Sequence, residues 1–396
     1  MTDDKNLDIA TRLVHSGERG RLPDGKPVAN PIYASATFTY DSMEEVDQVF
    51  SGEKQGYIYT RYGNPTVAAL AEAVRDIEEG ATACAYATGM AALHAALLTC
   101  DLKQGSTVVA SQDLYGATTS LLTTIFGPFG VKTVAADFND LSGLREIANQ
   151  AKPGVIIAET ISNPLLKICD IEACAEIAHS SGARLIVDNT FATPYLCRPL
   201  RFGADMVIHS ATKYLGGHAD AMGGVVVSRD EFDSAQLIGV LKLVGGVLSV
   251  WDAHQILRGM KTLGVRLERQ CENASRLADH LGKDERVERV YYPAVSTEVG
   301  VAQRMLRAPH FGALVSIKLK NNTTEGAFQF MNALRLCVRS TSLGDVFTSV
   351  LHPTTAFLRD VTPARRRDLG VSDGLVRISV GIEKFDDIVA DIEQAL

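Results

Sequence analysis

The chain has 396 residues, 46% hydrophobic and 22% charged, with a formal net charge of −8. Its length passes the roughly 250–300 residues at which a single core stops growing, so a large domain with a smaller companion is expected, and the composition excludes wholesale disorder. The negative balance offers no general attraction to nucleic acid or anionic lipid. The polar start MTDDKNLDIATRLVH lacks a signal-peptide core, and no apolar run reaches the roughly 18 residues of a membrane span, so a soluble cytoplasmic protein is expected.

Residues 1–64 carry Gly20, Pro23, Gly25, Pro27 and Pro31 with little periodicity, which predicts an extended arm that packs on something else. A second subunit is the natural candidate. Near its end Tyr59 and Arg61 stand two apart on an extended stretch, so both can point to one side and clamp a phosphate. Strand-like runs then follow at 82–87, 106–110, 131–136, 154–158, 184–187, 205–209 and 223–227, with helical patterns at 65–79, 141–151 and 171–181 among them. This alternation predicts an α/β domain over 65–260 built on a mostly parallel, doubly wound sheet. A long helical stretch at 252–281 leads into a smaller α+β C-terminal domain, 261–396, with a strand at 376–380 and an amphipathic tail. The seven cysteines form no C-x-x-C pair. Cys169 and Cys174, the closest two, have no histidine or second pair at tetrahedral spacing, so reduced thiols are expected and no metal site.

Chemistry concentrates in two windows. Asp188 ends the buried run Ala183–Val187, at the strand end where open α/β sheets bind ligands, and a carboxylate there can face a protonated ring nitrogen. Lys213 follows Ser210 and Thr212, whose hydroxyls can donate to phosphate oxygens, and precedes Gly216 and Gly217, which would let backbone approach a flat ring. Taken singly these are a surface lysine by a glycine turn and a capping aspartate; in this order they are what pyridoxal phosphate requires, a Schiff-base lysine, a ring partner and a phosphate cradle. Thr88-Gly89-Met90 opens a helix after a strand, where the helix dipole and free amides favour a phosphate, although many such turns bind nothing. Tyr115, just past a strand end, is either a core tyrosine or a ring that stacks on the cofactor and moves protons. Arg377 sits among apolar residues of a C-terminal strand, which is costly unless an anion such as a substrate α-carboxylate meets it.

The motifs YTRYGNPT (59–66), TGMAAL (88–93), DLYGAT (113–118), ETISNP (159–164), VDNTFATP (187–194), HSATKYLGGH (209–218), STSLGD (340–345) and LVRISVGIE (375–383) span nearly the whole chain. In this order they resemble the transsulfuration (Cys/Met metabolism) group of fold type I pyridoxal phosphate enzymes, which includes cystathionine γ-lyase, methionine γ-lyase, cystathionine γ-synthase and the O-acylhomoserine sulfhydrylases. The resemblance implies Lys213 as Schiff-base lysine and proton shuttle, Asp188 as ring-nitrogen partner, and Gly89, Met90, Ser210 and Thr212 around the phosphate. It implies that Tyr59 and Arg61 reach the phosphate of a neighbouring subunit, that Tyr115 stacks on the ring, that Asn163 approaches its 3′-oxygen side, and that Ser342 and Arg377 fix the substrate carboxylate. The oligomer so implied is a dimer of dimers, a homotetramer.

The activity implied is γ-elimination from a sulfur-containing or otherwise γ-substituted L-amino acid, giving a 2-oxo acid and ammonia. The alternative is γ-replacement on an O-acylhomoserine, and a remote one is a non-catalytic cofactor-binding protein. Three departures from the family pattern bear on substrate: Ala117 where methionine γ-lyases carry cysteine, Asp345-Val346-Phe347 after Gly344, and Thr354–Arg359 in place of a Ser-Met-Thr-His-like stretch.

Overall fold

A computed structural model describes residues 25–296 and 299–396. Residues 1–24 of the expected arm lie outside the described residues. Helix α1, Met43–Ser51, interrupts the stretch expected to be extended. Its signal is a pair of caps: the Ser42 side chain accepts from the Glu45 amide, and Gly52 closes the far end at φ 83°, so a helix forms although it buries none of its residues.

Alternation then runs as expected through α2 (Pro65–Glu78), β1 (Thr82–Tyr86), α3 (Gly89–Thr99), β2 (Thr107–Ser111), β3 (Lys132–Ala136), α4 (Leu141–Ala151), β4 (Val155–Glu159), α5 (Ile171–Ser180), β5 (Arg184–Asp188), β6 (Met206–Ser210) and β7 (Gly224–Ser228). These strands form a seven-stranded sheet ordered β1-β7-β6-β5-β4-β2-β3. Only β7 is reversed, running antiparallel to both β1 and β6. The connection from β6 to β7 contains no helix to carry a parallel crossover, so the chain returns in the opposite direction. Alternate side chains feed two cores: Val108, Ala110, Val155, Ile157 and Ile186 pack on one face, and Val109, Ile156, Ala158, Leu185 and Val187 on the other. Burial on both faces explains why these runs read as continuously apolar.

Helix α6 (Asp233–Val244) follows, and the expected single helical stretch is two helices, α7 (Val250–Met260) and α8 (Leu263–Leu281). Thr262 leaves helical geometry at φ −111°, ψ 5°, with its hydroxyl donating to the Gly259 carbonyl. The chain continues through β8 (Val287–Tyr291), β9 (Leu314–Leu319), α9 (Thr324–Ala333), β10 (Val338–Arg339), β11 (Ser349–Leu351), β12 (Leu375–Ser379) and α10 (Phe385–Ala395). Its strands make a five-stranded sheet, β10-β11-β12-β9-β8, mixed in direction, over a core of its own that includes Val315, Ile317, Val376, Ile378, Ile388 and Ile392. No helix among the described residues is long and apolar enough to cross a membrane.

Candidate active site

Strands β1, β2, β4, β5 and β6 all end at one edge of the large sheet, and the loops leaving them line a cavity of about 640 Å³. Thr88, Gly89, Met90, Tyr115, Asn163, Asp188, Ser210, Thr212, Lys213 and Arg377 all face it, as the sequence reading requires.

The floor is made of two carboxylates. Glu159 and Asp188 close β4 and β5 in register with one another. Asp188 accepts from both the amide and the hydroxyl of Thr190, and Thr190 in turn accepts from the Ser210 amide at 2.8 Å. Burial pushes the Asp188 carboxyl up, while the Thr190 bonds and the nearby His209 hold it down. Glu159 is pushed well up by burial and then by the charge of Asp188. Asp188, oriented by its two Thr190 bonds, is the carboxylate placed to face a cationic ring nitrogen. Behind them lies a dry network: His209 meets Glu78 at 2.7 Å, Asn189 donates to the same Glu78 oxygen at 2.9 Å, and Thr160 donates to Asn189 at 2.8 Å, all buried. These bonds pair one oxygen of Glu78 and one nitrogen of His209, leaving Glu78 Oε2 and His209 Nδ1 without a partner among the described residues, and they fix the strand ends that carry Asp188.

Above the floor, Thr88 caps α3 by accepting from the Ala91 amide at 3.0 Å. The Gly89 and Met90 amides, with no carbonyl inside the helix to take them, remain donors on the cavity side. A Cβ on Gly89 would come 2.8 Å from the Ser210 Cβ, so glycine is required for this close approach. The Thr212 hydroxyl accepts from the Gly223 amide at 3.0 Å and donates to the Gly223 carbonyl at 3.3 Å, and it is this donation that must give way to a phosphate. Lys213 Nζ donates to the Ser342 hydroxyl at 3.1 Å. Burial, reinforced by the charge of Arg377, lowers the lysine's pKa, and Asp345 acts in the opposite sense.

Arg377 projects from β12 and is 2% exposed. It donates to Asn163 Oδ1 at 3.1 Å and to the Ser342 carbonyl at 3.0 Å, while its Nε has no partner among the described residues. Burial lowers its pKa to about 10. A guanidinium with an unmet donor beside a lysine in a cavity is a place for a carboxylate.

One expectation is placed differently. Gly216 and Gly217 do not line the cavity. Gly217 has φ 71°, and a Cβ there would collide with the Arg266 guanidinium, so the glycine serves a turn and a buried arginine rather than the approach to a flat ring. Tyr59 and Arg61 lie outside their own chain's cavity, with Tyr59 exposed and Arg61 donating to the Lys242 carbonyl. Ser342 is present through its contacts with Lys213 and Arg377. Of the three departures, Ala117 and Phe347 do not reach the cavity lining, and Ala356 and Phe357 of the 354–359 stretch do. Sequence reading also passed over Glu159, Thr190 and the Glu78–His209 pair. Glu159 carried a usable signal, since it ends β4 as Asp188 ends β5.

The family described as "Cys/Met metabolism PLP-dependent enzyme" matches residues 10–396. The chain is 42% identical to an L-methionine gamma-lyase of Fusobacterium nucleatum subsp. nucleatum, over 99% of this chain and 98% of that one. It is 38% identical to a cystathionine gamma-lyase of Bacillus subtilis, over 98% of each. Among solved structures it resembles the cystathionine gamma synthase of Xanthomonas oryzae pv. oryzae in complex with cystathionine, with a TM-score of 0.87, 36% identity, and coverage of 93% of this chain and 92% of that one.

Proposed function

We propose that this chain, which belongs to the Cys/Met metabolism PLP-dependent enzyme family, catalyses γ-elimination on a sulfur-containing or other γ-substituted L-amino acid, releasing a 2-oxo acid, ammonia and the leaving group. Its fold, a mostly parallel large sheet with a smaller sheet domain C-terminal to it, is fold type I, and it is a pyridoxal phosphate enzyme. The observation that carries the reaction is the convergence of Lys213, Tyr115 and Arg377 on one cavity whose floor is Asp188.

The residues present fit the cofactor. The Gly89 and Met90 amides with the Ser210 and Thr212 hydroxyls would hold its phosphate, Asp188 its ring nitrogen and Tyr115 its ring face, with Asn163 beside its 3′-oxygen. The close packing of Gly89 on Ser210 leaves no room for a Cβ where the phosphate cradle is formed. When bound, pyridoxal phosphate withdraws electrons from the bonds at Cα of an attached amino acid, which makes its proton removable.

Lys213 Nζ is the base that takes the Cα proton, and its lowered pKa leaves more of the amine neutral for that task. Tyr115, whose side chain lines the cavity, serves the proton movements further along the substrate. Arg377 holds the α-carboxylate, with Ser342 locking it from behind. Relatives named as lyases at about 40% identity support elimination over γ-replacement. The test is a γ-substituted amino-acid panel assayed for 2-oxo acid, ammonia and thiol. O-acetylhomoserine is expected to yield 2-oxobutanoate with or without cysteine. Coupled product without 2-oxobutanoate would establish replacement instead, and absence of any turnover by cofactor-loaded protein would leave a binding protein.

The phosphate clamp of Tyr59 and Arg61 belongs to the same proposal, with the neighbouring subunit's site as its target. Their place outside their own cavity supports it. Arg61→Ala and Lys213→Ala, each inactive alone, should then complement as mixed dimers, because one site in each receives both intact contributions. Statistical pairing of independent sites gives recovery of up to roughly a quarter of wild-type activity in refolded mixtures. No recovery despite verified subunit exchange would place the clamp within its own chain.

A further inference from the structure

One of the three stretches that depart from the family pattern supplies an aromatic side chain to the cavity. Phe357 lies in the turn between β11 and β12, its ring centroid 6.2 Å from that of Tyr115 at an interplanar angle of 59°, and 5.7 Å from the Arg377 guanidinium carbon. It therefore borders the two groups that bracket a bound amino acid, the tyrosine over the cofactor side and the arginine for the carboxylate. What lies between those two must pass the phenylalanine.

The ring is held there by backbone and core. The Ala356 and Leu358 amides both donate to the Pro353 carbonyl, at 3.2 and 3.1 Å, which closes the turn. The Phe357 carbonyl sits so close to the Tyr115 loop that a Cβ on Gly116 would come within 2.9 Å of it, so glycine there permits the docking. The ring also packs against the small core of Leu358, Val371 and Leu375. Phe357 is fixed from three sides and is not a loose surface aromatic.

The charge inventory of the cavity points the same way. Its acidic and basic side chains are Glu159, Asp188, Lys213 and Arg377. Glu159 accepts from the Tyr115 amide at 2.7 Å, Asp188 is taken by Thr190 and the ring nitrogen, and the two cations serve the amine chemistry and the α-carboxylate. Among the described residues of this chain that line the cavity, none with a charge is left for a second amino-acid head group at the far end of a substrate, and the neighbouring subunit's Arg61 is committed to the phosphate in the proposed clamp. The lining also includes Leu343, Leu351, Ala356 and Phe357, an apolar surface that favours a thioether, whose sulfur gains from aromatic contact, and disfavours a charged terminus stripped of water.

Resting on the γ-elimination reading, we propose that Phe357 is the specificity-determining residue for the γ-substituent: its ring is the wall against which a short uncharged group packs, and it closes the space that a distal zwitterionic head would need. The residue acts on recognition at the far end of the substrate and leaves the cofactor linkage alone.

The experiment uses holoenzyme in three forms: wild type, Phe357→Leu and Phe357→Ala. The ligands are L-norleucine, which has the shape of methionine without a leaving group, and L-alanine, which ends short of the wall. Binding of each is read from the change in cofactor absorbance, independently of turnover. The norleucine dissociation constant is expected to rise roughly 10- to 100-fold in Phe357→Ala and by less in Phe357→Leu, with alanine binding unchanged. The ratio of kcat/KM for L-cystathionine to that for L-methionine should rise at least roughly tenfold in Phe357→Ala. Norleucine binding unchanged in Phe357→Ala, or norleucine and alanine weakened alike, would overturn the proposal. Weakened norleucine binding in a protein whose wild type turns over no γ-substituted amino acid would leave the wall in place and remove the elimination reading.

Discussion

Lys213→Ala is expected to lower kcat/KM by roughly 10³-fold or more and to abolish every borohydride-trappable bond between cofactor and protein. The cofactor should still be retained, because the phosphate cradle at Gly89, Met90 and Ser210 and the carboxylate at Asp188 are separate from the lysine. Mass spectrometry of peptides after reduction reads the first part, and absorbance of the dialysed protein reads the second. A trappable bond surviving in the variant would move the linkage to another lysine. The pH behaviour has a definite sign. Burial and Arg377 lower the Lys213 pKa against the weaker pull of Asp345, so the neutral, base-competent amine persists to lower pH than in an ordinary lysine, whose pKa is about 10.4. Turnover limited by this base should begin to fall only at a pH below that at which an ordinary lysine becomes protonated. A rate that climbs tenfold per pH unit up to that ordinary value would show that the cavity does not tune the amine.

The lysine and the aspartate were legible in the sequence because each ends or follows an apolar run that only a buried strand explains, and strand ends in such sheets carry sites. Glu159 has the same placement, one residue past the apolar run that ends at Ala158, but only its register with Asp188 across two strands makes the pair a floor, and that has no local signature. The Glu78–His209 contact joins residues 131 positions apart and has no local signature. Phe357 shows the same limit from another side. Its sequence stretch marked a departure, yet nothing local distinguishes it from Phe347, which stays out of the cavity; the difference comes from docking of the 353–358 turn onto Gly116. Local patterns set strands and caps, as Ser42 and Gly52 do for α1, whereas contacts between elements far apart in the chain decide which side chains meet.

Arg377→Lys is expected to raise KM by roughly 30-fold or more while changing kcat by no more than about threefold, since truncating a buried, hydrogen-bonded charge pair costs about 2–5 kcal/mol. The lysine keeps a positive charge but not the fork. The native guanidinium spans Asn163 and the Ser342 carbonyl with two separate nitrogens, an arrangement that one ammonium cannot reproduce. Because its pKa falls only to about 10, Arg377 stays cationic near neutrality, so the KM effect should be independent of pH between about 6 and 8.5. A scaffold role would also raise KM, so the carboxylate must be removed as well. The best substrate of the panel and its carboxamide, each tested with wild type and Arg377→Lys, form a cycle. If the arginine binds the carboxylate, the amide is poor with wild type and loses little more in the variant. If the arginine only braces Ser342 and Asn163, acid and amide suffer equally, and the carboxylate site has to be sought elsewhere in the cavity.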